Sequence, residues 1–168
     1  MKKSLLWGII VALIIAGIVI LLLLNSIKVP HDKISYIASS EYDAYSFLQF
    51  DDTNQYEIVD NQTRIAEILN SIKSHDYDNK INTSKYEDKY DETFFKDKNL
   101  LIVVGEIQSK ITKLTIGDNT INVKLKFAFP NYAQDGFWKF DVYFIQIDKN
   151  ISNITLDRYC YSHDVNAL

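Results

Sequence analysis

The stretch YDETFFKDKNLLIVVG, residues 90–105, runs from acids through two adjacent phenylalanines into five unbroken aliphatics. A catalytic reading would put Asp91 and Glu92 to work. A structural reading uses the same residues differently. The Asp91 carboxylate can accept the free backbone N–H groups two or three residues on, which caps a short helical turn. Glu92 favours the positive end of that turn. Phe94 and Phe95 then anchor it to a core, Asn99 ends it, and 100–104 follows as a strand. Five continuous aliphatics bounded by turn residues predict a strand covered on both faces.

Downstream the period is two. Leu114 and Ile116 share a face, and Gly117-Asp118-Asn119 supplies a tight turn. Ile121, Val123, Leu125, Phe127 and Phe129 alternate with Asn122, Lys124, Lys126 and Ala128, the pattern of a strand with one wet face. Residues 130–138 read as a loop. Residues 140–147 alternate again, and Asp148-Lys149-Asn150 turns the chain into a last strand near 154–159. Upstream, 34–37, 45–50 and 56–59 read as short strands, with turn residues at 51–54. Ile65, Ile68, Leu69 and Ile72 then fall at i, i+3, i+4 and i+7, one face of a helix over about 62–74 capped by Asn61 or Thr63. Residues 74–89 are polar, without either period, and read as a loop. Helix and strand do not alternate through the chain. The expected fold of 34–168 is therefore α+β: a mainly antiparallel twisted β-sheet, sandwich- or barrel-like, with one packed helix.

The first thirty residues differ in kind. Residues 5–24 form 20 uncharged, nearly wholly apolar positions. As a helix they would reach about 30 Å, the thickness of a bilayer's hydrocarbon core. The run exceeds a signal-peptide core, lacks an A-x-A cleavage pattern and has no lipidatable cysteine after it. It reads as an uncleaved, single-pass anchor in the lipid bilayer. Lys2 and Lys3 precede it in a short tail, residues 1–4, which places the N-terminus in the cytoplasm and the rest outside. Residues 25–33, with Pro30, read as a short linker. The Ile-, Lys-, Asn-, Tyr- and Asp-rich composition has a bacterial flavour, so the expected location is the extracytoplasmic face of a cell membrane. In that setting the sequons at Asn61, Asn82, Asn150 and Asn153 are incidental.

Three of the 18 basic residues fall before position 31 and all 22 acids after it, so the external part carries −7. That disfavours nucleic acid and anionic lipid as partners. The single Cys160 forms no internal disulfide, so stability must come from the core.

The order Tyr90-Asp91-Glu92, Phe94-Phe95, 100–104, a hairpin, a loop with Trp138 and then the segment 144–149 (FIQIDK) resembles small extracytoplasmic domains of clostridia-like bacteria. These are similar to the C-terminal domain of the PrcB protease-complex lipoproteins. The resemblance covers about 85–150 and implies a role beside a surface protease. Two features depart from that family: the segment Gly105-Glu106-Ile107-Gln108-Ser109 is less glycine-rich, and the anchor is a helix rather than a lipid. No catalytic residue is carried over.

Other candidates are weaker. Glu87, Asp88, Asp91 and Glu92 could act as acid and base or hold a hard cation, but Lys85, Lys89, Lys96 and Lys98 are interspersed among them. Asp76-Tyr77-Asp78 begins a calcium-loop spacing but lacks its glycine and distal glutamate. Cys160 and His163 are too few for a metal site and lie near the carboxyl end. His31 and His75 have no partner pattern, and no nucleotide, zinc-protease or serine-hydrolase motif occurs. No catalytic residue, metal or cofactor is assigned. The loop 130–138 carries three aromatics, Tyr132, Phe137 and Trp138. Aromatic loops on a rigid sheet serve as recognition surfaces. The expected function is a non-catalytic, membrane-tethered binding or accessory domain that contacts an envelope or surface protein. The alternative is a cell-wall or carbohydrate-binding module, and the third reading is a hydrolase using scattered carboxylates.

Overall fold

The computed structural model describes Leu13 and residues 29–38, 55–106, 109–128 and 138–161. The expected span 5–24, apart from Leu13, lies outside these residues. So does the expected strand at 45–50. No helix among the described residues is long and apolar enough to cross a membrane.

Among the described residues seven strands form two sheets. Strands β1 (His31–Ala38), β2 (Tyr56–Val59), β3 (Lys98–Glu106) and β6 (Trp138–Asp148) make the first, in the order β1-β6-β3-β2. Every pairing in it is antiparallel. Strands β4 (Lys110–Ile116), β5 (Thr120–Ala128) and β7 (Asn153–Tyr161) make the second, in the order β4-β5-β7. There β4 and β5 form an antiparallel hairpin, whereas β5 and β7 run parallel. The chain is thus α+β with mostly antiparallel strands, and the parallel pair departs from the sequence expectation. It arises because β6, which lies between β5 and β7 in sequence, belongs to the other sheet.

Helix α1 (Gln62–His75) buries Ile65, Ile68, Leu69 and Ile72, the face read from the sequence. The Asn61 side chain accepts the Arg64 N–H at 2.8 Å, so Asn61, not Thr63, is its cap. Arg64 reaches back with Nε 2.7 Å and Nη2 2.9 Å from the Glu57 carboxylate, a two-pronged pair that ties α1 to β2. Residues 74–89 are not all loop. Ser84–Lys89 forms a second helix, α2, and Phe94–Asp97 a third, α3. At six residues with one buried side chain, Tyr86, α2 is too short to display a helical period.

Two cores flank the first sheet. One side of it (Ile34, Leu100, Ile102, Val104, Val142, Phe144) packs against α1, Tyr86, Tyr90 and Phe95. Phe144 stacks on Tyr86 and Tyr90, with ring centroids 5.6 and 6.0 Å apart. The other side (Leu101, Val103, Tyr143, Ile145, Ile147) packs against Ile121, Val123 and Leu125 of the second sheet. The layers are helices, sheet, sheet. Residues 100–104 are fully buried, as a strand covered on both faces requires. Asn99 lies inside β3 rather than ending a turn before it, because Lys98 already pairs with Asp148. Strand β6 is also covered on both faces, which its alternating sequence did not convey.

The opening stretch resolves as scaffold. The Asp91 carboxylate accepts the Phe94 N–H at 2.8 Å. Phe95 is buried and Phe94 packs against the same core. Glu92 is exposed.

Candidate functional site

The two ends of the sandwich are distinct. At one end Val29 is buried in the cluster that holds Ile147 and Ile151. The Pro30 carbonyl accepts the Gln146 N–H at 3.1 Å, and the Asn119 carbonyl accepts Ser152 and Asn153 N–H at 3.1 Å each. The expected linker 25–33 is therefore shorter, since pairing with β6 begins at His31. Asp32 and Lys33, polar enough to read as linker, have tertiary partners instead.

At the other end Ala38, Glu106, Ala128 and Tyr161 finish β1, β3, β5 and β7, while Lys110 and Trp138 open β4 and β6. The loop singled out in the sequence leaves from this end. Tyr132 and Phe137 lie outside the described residues. Trp138 is not a loop residue: its backbone starts β6, paired with Ala38. The strand begins earlier than the loop reading allowed because β1 is there to pair with it.

Three residues into β6 is a buried polar network the sequence reading missed. Asp141 is 4% exposed. Its register partners are Ser35 on β1 and Gly105 on β3. Ser35 Oγ donates to Asp141 Oδ1 at 2.5 Å, and Ser109 Oγ donates to Oδ2 at 3.1 Å. Lys33 Nζ lies 3.2 Å from Oδ1. The Tyr143 hydroxyl donates to the Ser109 carbonyl and lies 3.2 Å from its Oγ. Gly105 makes the room: a Cβ there would sit 2.7 Å from Ser109 Cβ and closer still to Oγ. One signal for this network was present in the sequence, a lone aspartate between Phe140 and Val142 in a strand.

Chemically the network holds rather than reacts. Ser109 lies between a carboxylate and a phenol, the setting of an activated hydroxyl, but it is 4% exposed. Burial, with the nearby Asp141 charge, pushes the Tyr143 phenol up to about 12, so it acts as a proton donor and not a base. The oxygens of Asp141 are each engaged by donors from β1 or the start of β4. This ties the start of β6 in the first sheet to Ser109, the residue before β4 of the second.

A second polar cluster faces the helices. The Tyr90 hydroxyl donates to the Asp32 carboxylate, which also takes Lys89 Nζ at 2.6 Å. Burial alone would raise the Asp32 carboxyl. The hydrogen bonds from Lys89 and Tyr90 and the charges of Lys89 and Lys85 outweigh it and hold the carboxyl below its usual range. Burial, and then Asp32, push the Tyr90 phenol far up. This cluster docks α2 on β1.

The remaining sequence candidates disperse. Asp76 is buried and its carboxylate accepts the Lys80 and Ile81 N–H groups at 2.8 and 3.2 Å, while Asp78 pairs with Lys80 at 3.0 Å. Asn79 takes φ 51°, a left-handed turn conformation that asparagine tolerates. Glu87 accepts from Thr83 at 2.8 Å, and Asp88 is exposed. Cys160 sits in β7, and His163 lies outside the described residues. Among the described residues no three His, Cys, Asp or Glu side chains gather as a metal site. Compared with known proteins, the chain matches no family model, no curated protein and no solved structure.

Proposed function

We propose that this chain is a membrane-tethered, extracytoplasmic, non-catalytic binding domain that presents its 130–138 loop to an envelope protein. Residues 5–24 anchor it in the bilayer with residues 1–4 in the cytoplasm. The observation that carries the proposal is the polarity of the sandwich: Val29 packs at one end, while β5 finishes at Ala128 and β6 opens at Trp138, on either side of the loop, at the other. From residue 24 to 29 is five residues, at most about 17 Å of extended chain. Such a tether keeps the Val29 end beside the bilayer and points the loop away from it. The Asp141 network supports this role, since it ties the start of β6, into which the loop runs, to β1 and to Ser109. The PrcB resemblance makes a surface protease the first partner to examine.

Site-specific photo-crosslinking in intact cells tests the proposal. A crosslinker at Tyr132 should give a discrete adduct with an envelope protein, and one at Lys149, at the Val29 end, should not. Tyr132→Ala should weaken capture of the same protein. Adducts from both positions or from neither would refute the reading.

A further inference from the structure

The second sheet has an outer face that the first sheet does not cover. Strand pleating turns Ile121, Val123 and Leu125 inward and Asn122, Lys124 and Lys126 outward. The register then brings further lysines beside them: Lys110 stands opposite Lys126, and Lys113 opposite Lys124. A bulge between Ile111 and Lys113 turns Thr112 outward as well. Its hydroxyl donates to the Lys124 carbonyl at 3.2 Å, and it accepts the Tyr159 hydroxyl at 3.4 Å. On β7, Asp157 lies beside Lys124 and pairs with it at 2.8 Å, and the exposed Tyr159 lies beside Lys126. The result is two rows running across the strands, Lys113-Lys124-Asp157 and Lys110-Lys126-Tyr159. They hold four lysines and one aspartate in an acidic chain. The next two rows on one side, Thr115-Asn122-Thr155 and Thr120-Asn153, are uncharged and free of large side chains.

Like charges placed directly opposite each other on paired strands destabilise a sheet. Two such pairs stand side by side here, with Asp157 offsetting Lys124. Lysine on an edge strand such as β4 also discourages edge-to-edge pairing, which accounts for Lys110 and Lys113; Lys124 pairs with Asp157, and Lys126 stands in a row whose third position is Tyr159 rather than an acid. We propose that the two rows form a binding surface for a linear phosphate-bearing polyanion lying across the strands. Neighbouring strands stand about 4.8 Å apart and the rows about 7 Å apart, so a linear chain of phosphates crossing β4 and β5 meets two lysines in each row. A planar lipid surface would instead call for charge over the whole face. All four cations are lysines. They act as point charges that meet a flexible phosphate chain without the fixed two-pronged geometry of arginine. The proposal is independent of the anchor and of the 130–138 loop.

The test uses the full chain in neutral detergent and long-chain inorganic polyphosphate as the probe. Binding should weaken with salt, with a log–log slope of about −2 to −3 for three to four neutralised phosphates. The double variant Lys110→Gln, Lys113→Gln should flatten that slope by about 1.4. Its melting temperature should hold or rise, because two like-charge pairs are gone. Polyglutamate should bind more weakly, and vesicles containing phosphatidylglycerol should not compete. The proposal is overturned by a slope near zero, by a double variant that binds as the wild type does, or by vesicles or polyglutamate that outcompete polyphosphate. It is also overturned by tighter binding of single-stranded DNA than of polyphosphate, since base recognition would then be the operative contact.

Discussion

Replacing Gly105 by alanine is expected to destabilise the protein by about 3–5 kcal/mol, far more than one methyl group ordinarily does. The new Cβ would lie 2.7 Å from Ser109 Cβ and 3.0 Å from Leu125 Cδ2. The tip of Leu125 can swing aside. Ser109 cannot, because its Oγ is held by Asp141 at 3.1 Å and its carbonyl by Tyr143. Moving Ser109 removes a donor from a buried carboxylate, at about 1.5–3 kcal/mol, and overpacking adds about 1–3 kcal/mol. For a chain of this size each kcal/mol lowers the melting temperature by about 2–4 °C, so the loss should be roughly 10 °C by circular dichroism of the full chain in detergent. The informative comparison is Ser109→Gly, which deletes both clashing atoms. Alone it should cost about 1.5–3 kcal/mol for the lost hydrogen bond. Added to Gly105→Ala it should cost almost nothing more, because the alanine methyl fills the vacated space. The two substitutions should therefore couple by about 1.5–3 kcal/mol in a double-mutant cycle. A neutral Gly105→Ala, or additive costs, would refute the account of why position 105 is glycine.

Asp91→Ala should lower stability by about 1 kcal/mol through loss of the cap on Phe94, measured by thermal unfolding, and leave crosslinking from position 132 intact. Asp32 has a depressed carboxyl in the folded state, so its contribution is present above the unfolded value near 4 and is lost as pH falls through the folded value. Melting temperatures taken from neutral pH down to about pH 3 should fall less steeply for Asp32→Asn than for the wild type. Tyr143 has the opposite sign. Its phenol is raised to about 12, so the stability it contributes is full below about pH 10 and is lost as pH climbs through the folded value. Tyr143→Phe should make the alkaline limb shallower and remove one late-ionising phenol from the ultraviolet titration.

The parts of the fold legible in the sequence were those set by local pattern. The helix face of α1, the cap at Asn61, the hairpin at Gly117-Asp118-Asn119 and the aliphatic run at 100–104 each follow from period or from a single turn. What escaped depends on partners far along the chain. Asp141 reads as a wet position until Ser35 and Ser109, 106 and 32 residues away, supply its hydrogen bonds. For the same reason β6 read as a simple alternating strand, although Phe140, Val142 and Phe144 meet the helices while Tyr143, Ile145 and Ile147 meet the second sheet. The parallel β5-β7 pair is likewise a matter of which sheet β6 joins.

Charge shows the limit of reading a sum. The −7 of the external part argued against nucleic acid and anionic lipid, yet four lysines share two neighbouring rows of one face. At physiological ionic strength the Debye length is about 8 Å. The lysine rows, about 5 Å by 7 Å in spacing, fall within it. Most of the acids among the described residues do not: Asp32 and Glu57 lie in the first sheet, and Glu67, Glu87 and Asp88 in the helices, one to two layers of about 10 Å away. A phosphate polymer on the face therefore meets the local cations more strongly than the distant acids. At about 0.01 M salt the Debye length grows to about 30 Å, and the acids come back into range. Binding of polyphosphate should then stop strengthening, so the log–log salt plot bends flat at its low-salt end. A straight line down to about 0.01 M would show that the acids never oppose the ligand, and would remove the layered separation of charge as the reason an acidic domain can hold a polyanion.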